Sequence, residues 1–267
     1  MAKICDSPPF PRAGPAAAKT ARRQPVRSIM LAGVDDALAA ARSLVDQLYP
    51  TARWALLAGS VATVDRTSGS DLDVIVFIED DPQAPYRRSL TWQGFPAEVF
   101  TYDQPGLEHY LRLDLAHRRP VTHRMLATGI PLTDLDGHAV QVRHRCADLL
   151  AAGPPRMDPV ELDGLRYQLT GLLTDLTHAG NPGARTVIAA STWTRTAELA
   201  LHAAGHWSGS GKWLLRELVD LDPGFAGRWL AAHSDPAAVV AIADEVLGSL
   251  GGRLFDGHLT TGPSRPG

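Results

Sequence analysis

The chain has 267 residues, of which 45% are hydrophobic and 21% charged, with a formal net charge of −3. This composition fits a soluble globular protein of one large domain or two smaller ones. No apolar run approaches the roughly 20 residues of a membrane span, and no apolar stretch follows the basic N-terminus as in a secretory signal. Cys5 and Cys146 cannot form a disulfide framework, so we expect a reduced, cytoplasmic protein.

Charge is unevenly distributed along the chain. Residues 1–29 carry a net charge of +5, which leaves −8 for residues 30–267. The basic stretch is rich in Pro, Ala and Gly and has no hydrophobic periodicity. It therefore predicts a disordered arm, either dispensable or binding nucleic acid. The acidic remainder argues against a large nucleic-acid partner, because phosphate neutralisation dominates such binding.

Helical and strand patterns alternate over residues 30–152. An amphipathic helix is predicted over about 34–48, and Pro50 closes it. Strands are predicted at about 54–58, 72–78 and 97–102. Helices at about 106–117 and 120–128, an extended segment at about 130–132 and a turn at Asp136-Gly137 follow.

Helical patterns alone occupy residues 153–267, after the break at Gly153-Pro154-Pro155. They cover about 158–178, 184–206, 211–219, 223–233 and 236–250. The fold class expected is therefore α+β. A small mixed-sheet domain over 30–152 would be followed by an all-α helical bundle over 153–267.

The most informative stretch runs from Gly59-Ser60 through a polar spacer to Ser70-Asp71-Leu72-Asp73-Val74. Side chains alternate along a strand, so Asp71 and Asp73 point to one face. Glu98 joins them if its strand is a neighbour. Two charges about 4 Å apart repel by roughly 4 kcal/mol at an effective dielectric near 20. Hard cations offset that repulsion, so the three carboxylates predict a site for two Mg²⁺ ions.

The Gly-Ser turn adds a second chemical feature to the carboxylates. Gly59 and Ser60 follow a predicted strand, so they would offer backbone N–H groups and a hydroxyl to triphosphate oxygens. An Asp-x-Asp pair at a strand start is often only a solvated edge. Here the turn and a third carboxylate on another strand favour catalysis.

These residues resemble the signature of the DNA polymerase β-like nucleotidyltransferase superfamily, which is hydrophobic-Gly-Ser, a spacer and Asp-hydrophobic-Asp-hydrophobic. Ala58-Gly59-Ser60 and Asp71-Leu72-Asp73-Val74 match that signature. Glu98 falls where the superfamily has its third carboxylate. The resemblance covers residues 55–102, and it implies a small nucleotidyltransferase domain.

The order of the two expected domains resembles the aminoglycoside nucleotidyltransferases and their bacterial relatives. That resemblance implies a nucleotide between the domains and an acceptor that contacts the helical part. Residues 205–214 also resemble a stretch found in such relatives. The resemblance implies that Lys212 reaches a phosphate across the cleft, the alternative being a plain surface lysine at a helix start.

The function expected is transfer of a nucleoside monophosphate, AMP first, from ATP or another NTP to a hydroxyl of a small-molecule acceptor. Asp71 and Asp73 would hold the Mg²⁺ ions, and Glu98 would be the third ligand or the base. Gly59, Ser60 and Ser70 would position the triphosphate. The acidic body favours a hydroxyl-rich amine, such as an aminoglycoside, as acceptor.

Two other functions fit the same residues. One is a nucleotidyltransferase that modifies a protein or a tRNA, as in toxin–antitoxin systems. The other is a non-catalytic regulator that binds a nucleotide. A complete set of three carboxylates argues against the regulator, because binding alone does not need all of them.

Overall fold

The computed structural model of the chain describes residues 34–62 and 70–259. The predicted basic arm and the spacer of the Gly-Ser motif lie outside these ranges. The described part contains one mixed five-stranded sheet and nine α-helices, so the predicted α+β class is confirmed. Within the same ranges, no helix combines the length and the apolar composition needed to cross a membrane.

The sheet and the helices around it come from the first half of the chain. The helices are α1 (Val34–Leu48), α2 (Gln104–Ala116), α3 (Val121–Thr128) and α4 (Gly137–Ala152). The strands are β1 (Trp54–Ala58), β2 (Leu72–Phe77), β3 (Tyr86–Trp92), β4 (Phe95–Tyr102) and β5 (Ile130–Pro131). The sheet order is β3-β4-β2-β1-β5, with β2 parallel to β4 and the other pairs antiparallel.

The two faces of the sheet are both covered, and strand alternation decides which side chains meet which layer. On β2, Leu72, Val74 and Val76 are buried in the cluster that includes α1. Ile75 and Phe77 are buried in the opposite cluster, with side chains of α2, α3 and α4. Asp73 has the parity of Ile75 and Phe77, so it lies on the α2–α4 face of the sheet.

The structure adds two elements that the sequence patterns did not predict. Strand β3 is an edge strand with mostly exposed side chains, so it lacks the apolar alternation of a half-buried strand. Helix α4 begins where only a turn was predicted. Asp136 caps it by accepting the Ala139 N–H at 2.8 Å, and its buried face consists of the small or modest side chains Ala139, Val142 and Cys146.

The second half is helical, as predicted. Its helices are α5 (Pro159–His178), α6 (Pro182–Ala203), α7 (Lys212–Leu221), α8 (Pro223–Ala232) and α9 (Pro236–Ser249). Helix α6 ends at Ala203, earlier than the predicted 206. An Asp or Asn N-cap precedes a proline at the start of four of these helices, a favourable order because proline lacks the N–H that a first turn leaves unpaired.

Two tryptophans pack against each other in the core of the helical half. The rings of Trp193 and Trp229 stack at 3.7 Å between centroids. Each indole N–H donates to the backbone carbonyl of the other residue, at 2.7 and 2.8 Å. Both tryptophans therefore serve the core of the helices and not a ligand site.

Direct contacts join the helical half to the turn between α2 and α3. The Ser208 N–H donates to the Arg118 carbonyl at 2.8 Å, and Arg118 pairs with Glu161 at 3.1 Å. The Trp207 indole N–H donates to the Leu150 carbonyl at 3.2 Å. These contacts hold the segment before α7 beside α3. The boundary of two domains near residue 153 stays a prediction.

Candidate active site

The three predicted carboxylates meet at one edge of the sheet. Asp73 on β2 and Glu98 on β4 are directly paired in the parallel ladder, so their side chains lie next to each other on one face. Asp71 precedes Asp73 by two residues and shares that face. One carboxylate oxygen from each of the three residues lies within 4.8 Å of the others. The condition on Glu98, that β4 is a neighbour of β2, is therefore met.

Gly59 forms the floor beneath Asp73. It follows β1, whose last residue Ala58 pairs with Asp73, and its φ is +73°. A Cβ built at Gly59 would lie 1.8 Å from Asp73 Oδ2, far closer than any real contact. Both the backbone conformation and the space therefore require glycine here.

The two serines of the motif lie together beside this floor. Ser60 starts a short 3₁₀ helix, Ser60–Ala62, and its hydroxyl donates to the Ser70 hydroxyl at 3.0 Å. Ser70 is 9% exposed and directly precedes Asp71. The structure thus brings Gly59, Ser60 and Ser70 to the carboxylate cluster, as the sequence pattern predicted.

The charge of Asp73 is unfavourable in the protein alone. Its pKa is raised to about 6, mainly by burial and in addition by the nearby charges of Asp71 and Glu98. The positive charges of Arg87 and Lys212 oppose the shift. A cation between the carboxylates would offset this cost. Because the donors are all carboxylate oxygens, the cluster fits a hard cation such as Mg²⁺.

Arg87 is a site residue that sequence reasoning missed, because it lies on the unpredicted strand β3. Its side chain pairs with Glu98, and its guanidinium lies 4.8 Å from the centroid of the Phe100 ring. Arg87 and Phe100 are cross-strand partners, which puts Arg87 on the Glu98 face. The signal that could have found it is a hairpin: polar residues before Gln93-Gly94 and a strand after it.

A cleft of about 290 Å³ opens between this cluster and the helical half. From the sheet side, Gly59, Asp73, Arg87, Glu98 and Phe100 line it. The region around the start of α3 contributes Arg119, Pro120, Val121, Arg124 and Met125, and the helical half contributes Ser208, Gly209, Ser210 and Trp213. Lys212 begins α7 at the same end, close enough for its charge to lower the pKa of Asp73.

Lys212 is set apart by composition as well as by position. It is the only lysine in residues 30–267, where all other permanent positive charges are arginines. Its side chain is exposed at the N-terminus of α7, after Gly211 with a φ of +54°. Lys212 therefore lies directly before Trp213 of the cleft lining, and its contact with a phosphate stays a prediction.

Arg124, on α3, is held by a buried acid of α7. Arg124 pairs with Glu217, which is 3% exposed, and its guanidinium lies 4.9 Å from the Trp213 ring centroid. Burial raises the pKa of Glu217 more than Arg124 lowers it. His206 Nδ1 lies 3.4 Å from Glu217 Oε2. Sequence patterns did not indicate Arg124, since nothing in α3 marks one arginine among its polar residues.

Ser208 presents an unusual hydroxyl to the cleft. The residue is 1% exposed, and its Oγ has no hydrogen-bond partner among the described residues. The backbone around it is tightly held, because a Cβ at Gly209 would lie 2.7 Å from the Trp213 carbonyl carbon. Leaving a buried hydroxyl without a partner is costly.

Among solved structures, the chain is distantly similar to a nucleotidyltransferase-like protein. That protein, from Exiguobacterium sibiricum and known from a crystal structure, is 12% identical, with a TM-score of 0.45. The match covers 79% of this chain and 74% of that chain. A likeness this distant carries no conclusion about activity. No protein-family model matches the sequence, and no curated protein matches it.

Proposed function

We propose that this chain is a Mg²⁺-dependent nucleotidyltransferase, which moves a nucleoside monophosphate from an NTP to a hydroxyl of a small molecule. One observation carries the proposal. Asp71, Asp73 and Glu98 converge within 4.8 Å, at the start of β2 and on its parallel neighbour β4, and Asp73 and Glu98 line a cleft that Arg119 and Arg124 also line. Carboxylates and arginines that line one cleft suit a metal-bound polyphosphate.

The cluster would hold two Mg²⁺ ions through Asp71, Asp73 and Glu98. Bound Mg²⁺ supplies charge neutralisation for the triphosphate and a lower pKa for an oxygen nucleophile. Gly59 leaves the space that the Asp73 carboxylate occupies, because a Cβ there would lie 1.8 Å from Asp73 Oδ2. Glu98 would be the third ligand or the base that accepts the acceptor's proton.

The rest of the cleft would bind and orient the triphosphate. Gly59 and Ser60 would offer backbone N–H groups from the turn after β1, and Ser70 a hydroxyl. Lys212, at the start of α7, would neutralise phosphate charge. This arrangement lets positioning and fixed charges supply most of the acceleration, as in other phosphoryl-type transfers.

The charges near the cleft give no support to an amine as acceptor. The net charge predicted an aminoglycoside-like molecule, but several of the acids are already paired with arginines. Glu198 pairs with Arg119 and Arg195, and Glu217 pairs with Arg124. A paired carboxylate attracts a second cation weakly. We therefore propose a hydroxyl-bearing small molecule, and ATP as the first donor to test.

The proposal is tested by incubating the protein with each NTP, Mg²⁺ and a library of hydroxyl acceptors. Mass spectrometry should find an acceptor that gains one nucleoside monophosphate, with release of pyrophosphate. Asp73→Asn should abolish the gain, and Asp175→Asn, an exposed change on α5, should keep it. Label on a protein or a tRNA instead would change the acceptor class. Nucleotide binding without any transfer would indicate a regulator and overturn the proposal.

A further inference from the structure

A second cavity lies beside the cleft, on the other side of Arg119. Its volume is about 240 Å³, and it lies between the end of α2 and helices α5 and α6. We call it the Arg119–Arg195 cavity. Its polar lining consists of His117, Arg119, Gln168, Arg195, Glu198 and His202.

The charged groups of this cavity leave an excess of positive charge. Glu198 is 8% exposed and is shared by Arg119 at 2.7 Å and Arg195 at 2.5 Å. Two guanidiniums thus face one carboxylate. Each guanidinium carries five N–H donors, more than its carboxylate oxygen can accept. The donors that remain suit an anion.

His202 supplies an independent sign of a ligand. Its Nδ1 is buried and has no hydrogen-bond partner among residues 34–62 and 70–259. Burial lowers the pKa of His202, and the charges of Arg118 and Arg119 add to the effect, so the ring is neutral near pH 7. A buried ring nitrogen without a partner is costly, and His202 is one of the residues that line this cavity.

The position of Arg119 connects the two cavities. Arg119 lines both the Arg119–Arg195 cavity and the cleft of the carboxylates. The two cavities are therefore neighbours that share the Arg119 side chain as a wall. This geometry joins the anion site to the acceptor side of the proposed reaction, because the NTP would occupy the carboxylate cleft.

We propose that the Arg119–Arg195 cavity binds a phosphate group of the acceptor, which would make the acceptor a phosphorylated hydroxyl compound. This inference rests on the proposed nucleotidyl transfer. Two guanidiniums, the Gln168 amide and the imidazoles offer more donors than the two oxygens of a carboxylate accept. A phosphate monoester has three terminal oxygens and close to two charges. A polycation has no place among these groups.

The first test is direct binding of inorganic phosphate to the full chain, by calorimetry without Mg²⁺ or NTP. Arg195→Gln should weaken binding about tenfold, because a charge-assisted hydrogen bond is lost. Gln168→Leu, which breaks no ion pair, should weaken it about threefold. The control Arg228→Gln removes a similar ion pair, with Glu245 at 2.6 Å, and should change nothing.

The inference falls if the wild-type protein does not bind phosphate, or if Arg195→Gln and Gln168→Leu bind it as tightly as wild type. It also falls if Lys212→Ala removes binding while Arg195→Gln keeps it, since the phosphate would then lie in the carboxylate cleft. Thermal melts of each variant show whether it is folded.

The second test uses matched acceptors, such as a sugar and its monophosphate, with NTP and Mg²⁺. Wild type should transfer to the phosphorylated acceptor with a KM about tenfold lower, and Arg195→Gln should lose that preference. Equal KM values would overturn the phosphate site and leave the nucleotidyl transfer intact. Phosphate binding that depends on Arg195, without transfer to any acceptor, would instead overturn the proposed function and keep the anion site.

Discussion

The carboxylate cluster at β2 and β4, here called the sheet edge, and the buried acids of α6 and α7 differ in the charges that surround them. At the sheet edge, Asp71, Asp73 and Glu98 crowd within 4.8 Å, and the pKa of Asp73 rises to about 6. In the helical half, Glu198 and Glu217 are more deeply buried, but each has an arginine within ion-pair distance. Glu98 pairs with Arg87 in the same way, whereas Asp73 has two carboxylates as its neighbours. Buried acids with partners hold a structure together. Crowded acids with too few cationic partners favour the binding of an external cation. This excess of negative charge identifies the candidate site.

Acidic residues of the sequence therefore have two different roles: some form structural ion pairs, and others crowd together at the candidate site. Asp-x-Asp at a strand start and Glu on a helix look alike in a list of charges. Only the three-dimensional partners show that Glu217 is tied to Arg124, while Asp73 has two carboxylates as neighbours. The net charge of the chain is therefore a poor guide to the charge that a ligand meets.

The largest expected effect comes from removing a charge from the sheet edge. Asp73→Asn should lower the rate of transfer by at least about 10³-fold, because metal ions contribute several kcal/mol to such reactions. The fold should persist, since the change relieves repulsion with Asp71 and Glu98. Steady-state kinetics with Mg²⁺ and circular dichroism measure the two results. Wild-type turnover by Asp73→Asn would refute the metal role.

Removal of a paired acid from the helical half should lower the stability of the protein. Glu217→Ala leaves Arg124 without its buried partner and should lower the free energy of unfolding by about 3 kcal/mol. Denaturant unfolding with the exposed change Asp220→Ala as control checks this value. If Glu217→Ala were as stable as wild type, the helical acids would not be structural, and the contrast with the sheet edge would fail.

The sequence patterns indicated the carboxylates of the candidate site, but they did not indicate the arginines that line the same cleft. Asp71, Asp73 and Gly59 belong to one local motif, in which strand alternation and a turn determine the geometry. Glu98 required only a neighbouring strand. The positions of Arg87 and Arg124 at the site depend on which elements pack together. Strand β3, which carries Arg87, has no apolar alternation from which a strand could be predicted. Local rules therefore predicted the carboxylates and Gly59, and long-range packing determined which arginines lie around them.

The fold shows the same division between local and long-range information. The helices of the second half were predicted because caps and prolines mark their starts, as Asp222 and Pro223 do for α8. Helix α4 was missed because its buried face of Ala139, Val142 and Cys146 is too modest to show a clear period. A weak pattern becomes a helix when the sheet provides a surface to pack against.

A pH series tests the crowding at the sheet edge directly. The pKa of Asp73 is raised from 3.8 to about 6, so between these values the folded protein holds more protons than the unfolded chain. The free energy of unfolding should therefore fall as pH rises from about 4 to about 6, by about 2 kcal/mol relative to Asp73→Asn. Below pH 4 the two proteins should agree.

The effect of Mg²⁺ on the melting temperature gives a second test of the raised pKa of Asp73. Near pH 7, added Mg²⁺ should raise the melting temperature of the wild-type protein and leave Asp73→Asn unchanged, since a ligand that binds only the folded state stabilises it. The gain should fade below pH 6, where Asp73 takes up a proton. A difference between the two proteins that does not vary with pH would contradict the raised pKa.

Lys212 tests whether the start of α7 contacts the nucleotide. Lys212→Ala should raise the apparent KM for the NTP about tenfold and leave the KM for the acceptor nearly unchanged, because a charged contact to phosphate is lost. Arg112→Ala, an exposed change on α2, is the control. Since Lys212 is the only lysine in residues 30–267, protection of one peptide from an amine-reactive reagent by NTP gives a second readout.

The smallest expected effect comes from the Ser208 hydroxyl. Because this buried Oγ has no partner among the described residues, Ser208→Ala removes a desolvated polar group and should raise the free energy of unfolding by about 0.5–1 kcal/mol. The same change should raise the KM of one substrate about threefold, since the hydroxyl would be paired in the complex. The exposed Ser210→Ala should leave stability unchanged. Stability and binding that change in opposite directions would distinguish a ligand contact from a structural one, whereas a loss of stability would show that Ser208 supports the helical half as Glu217 does.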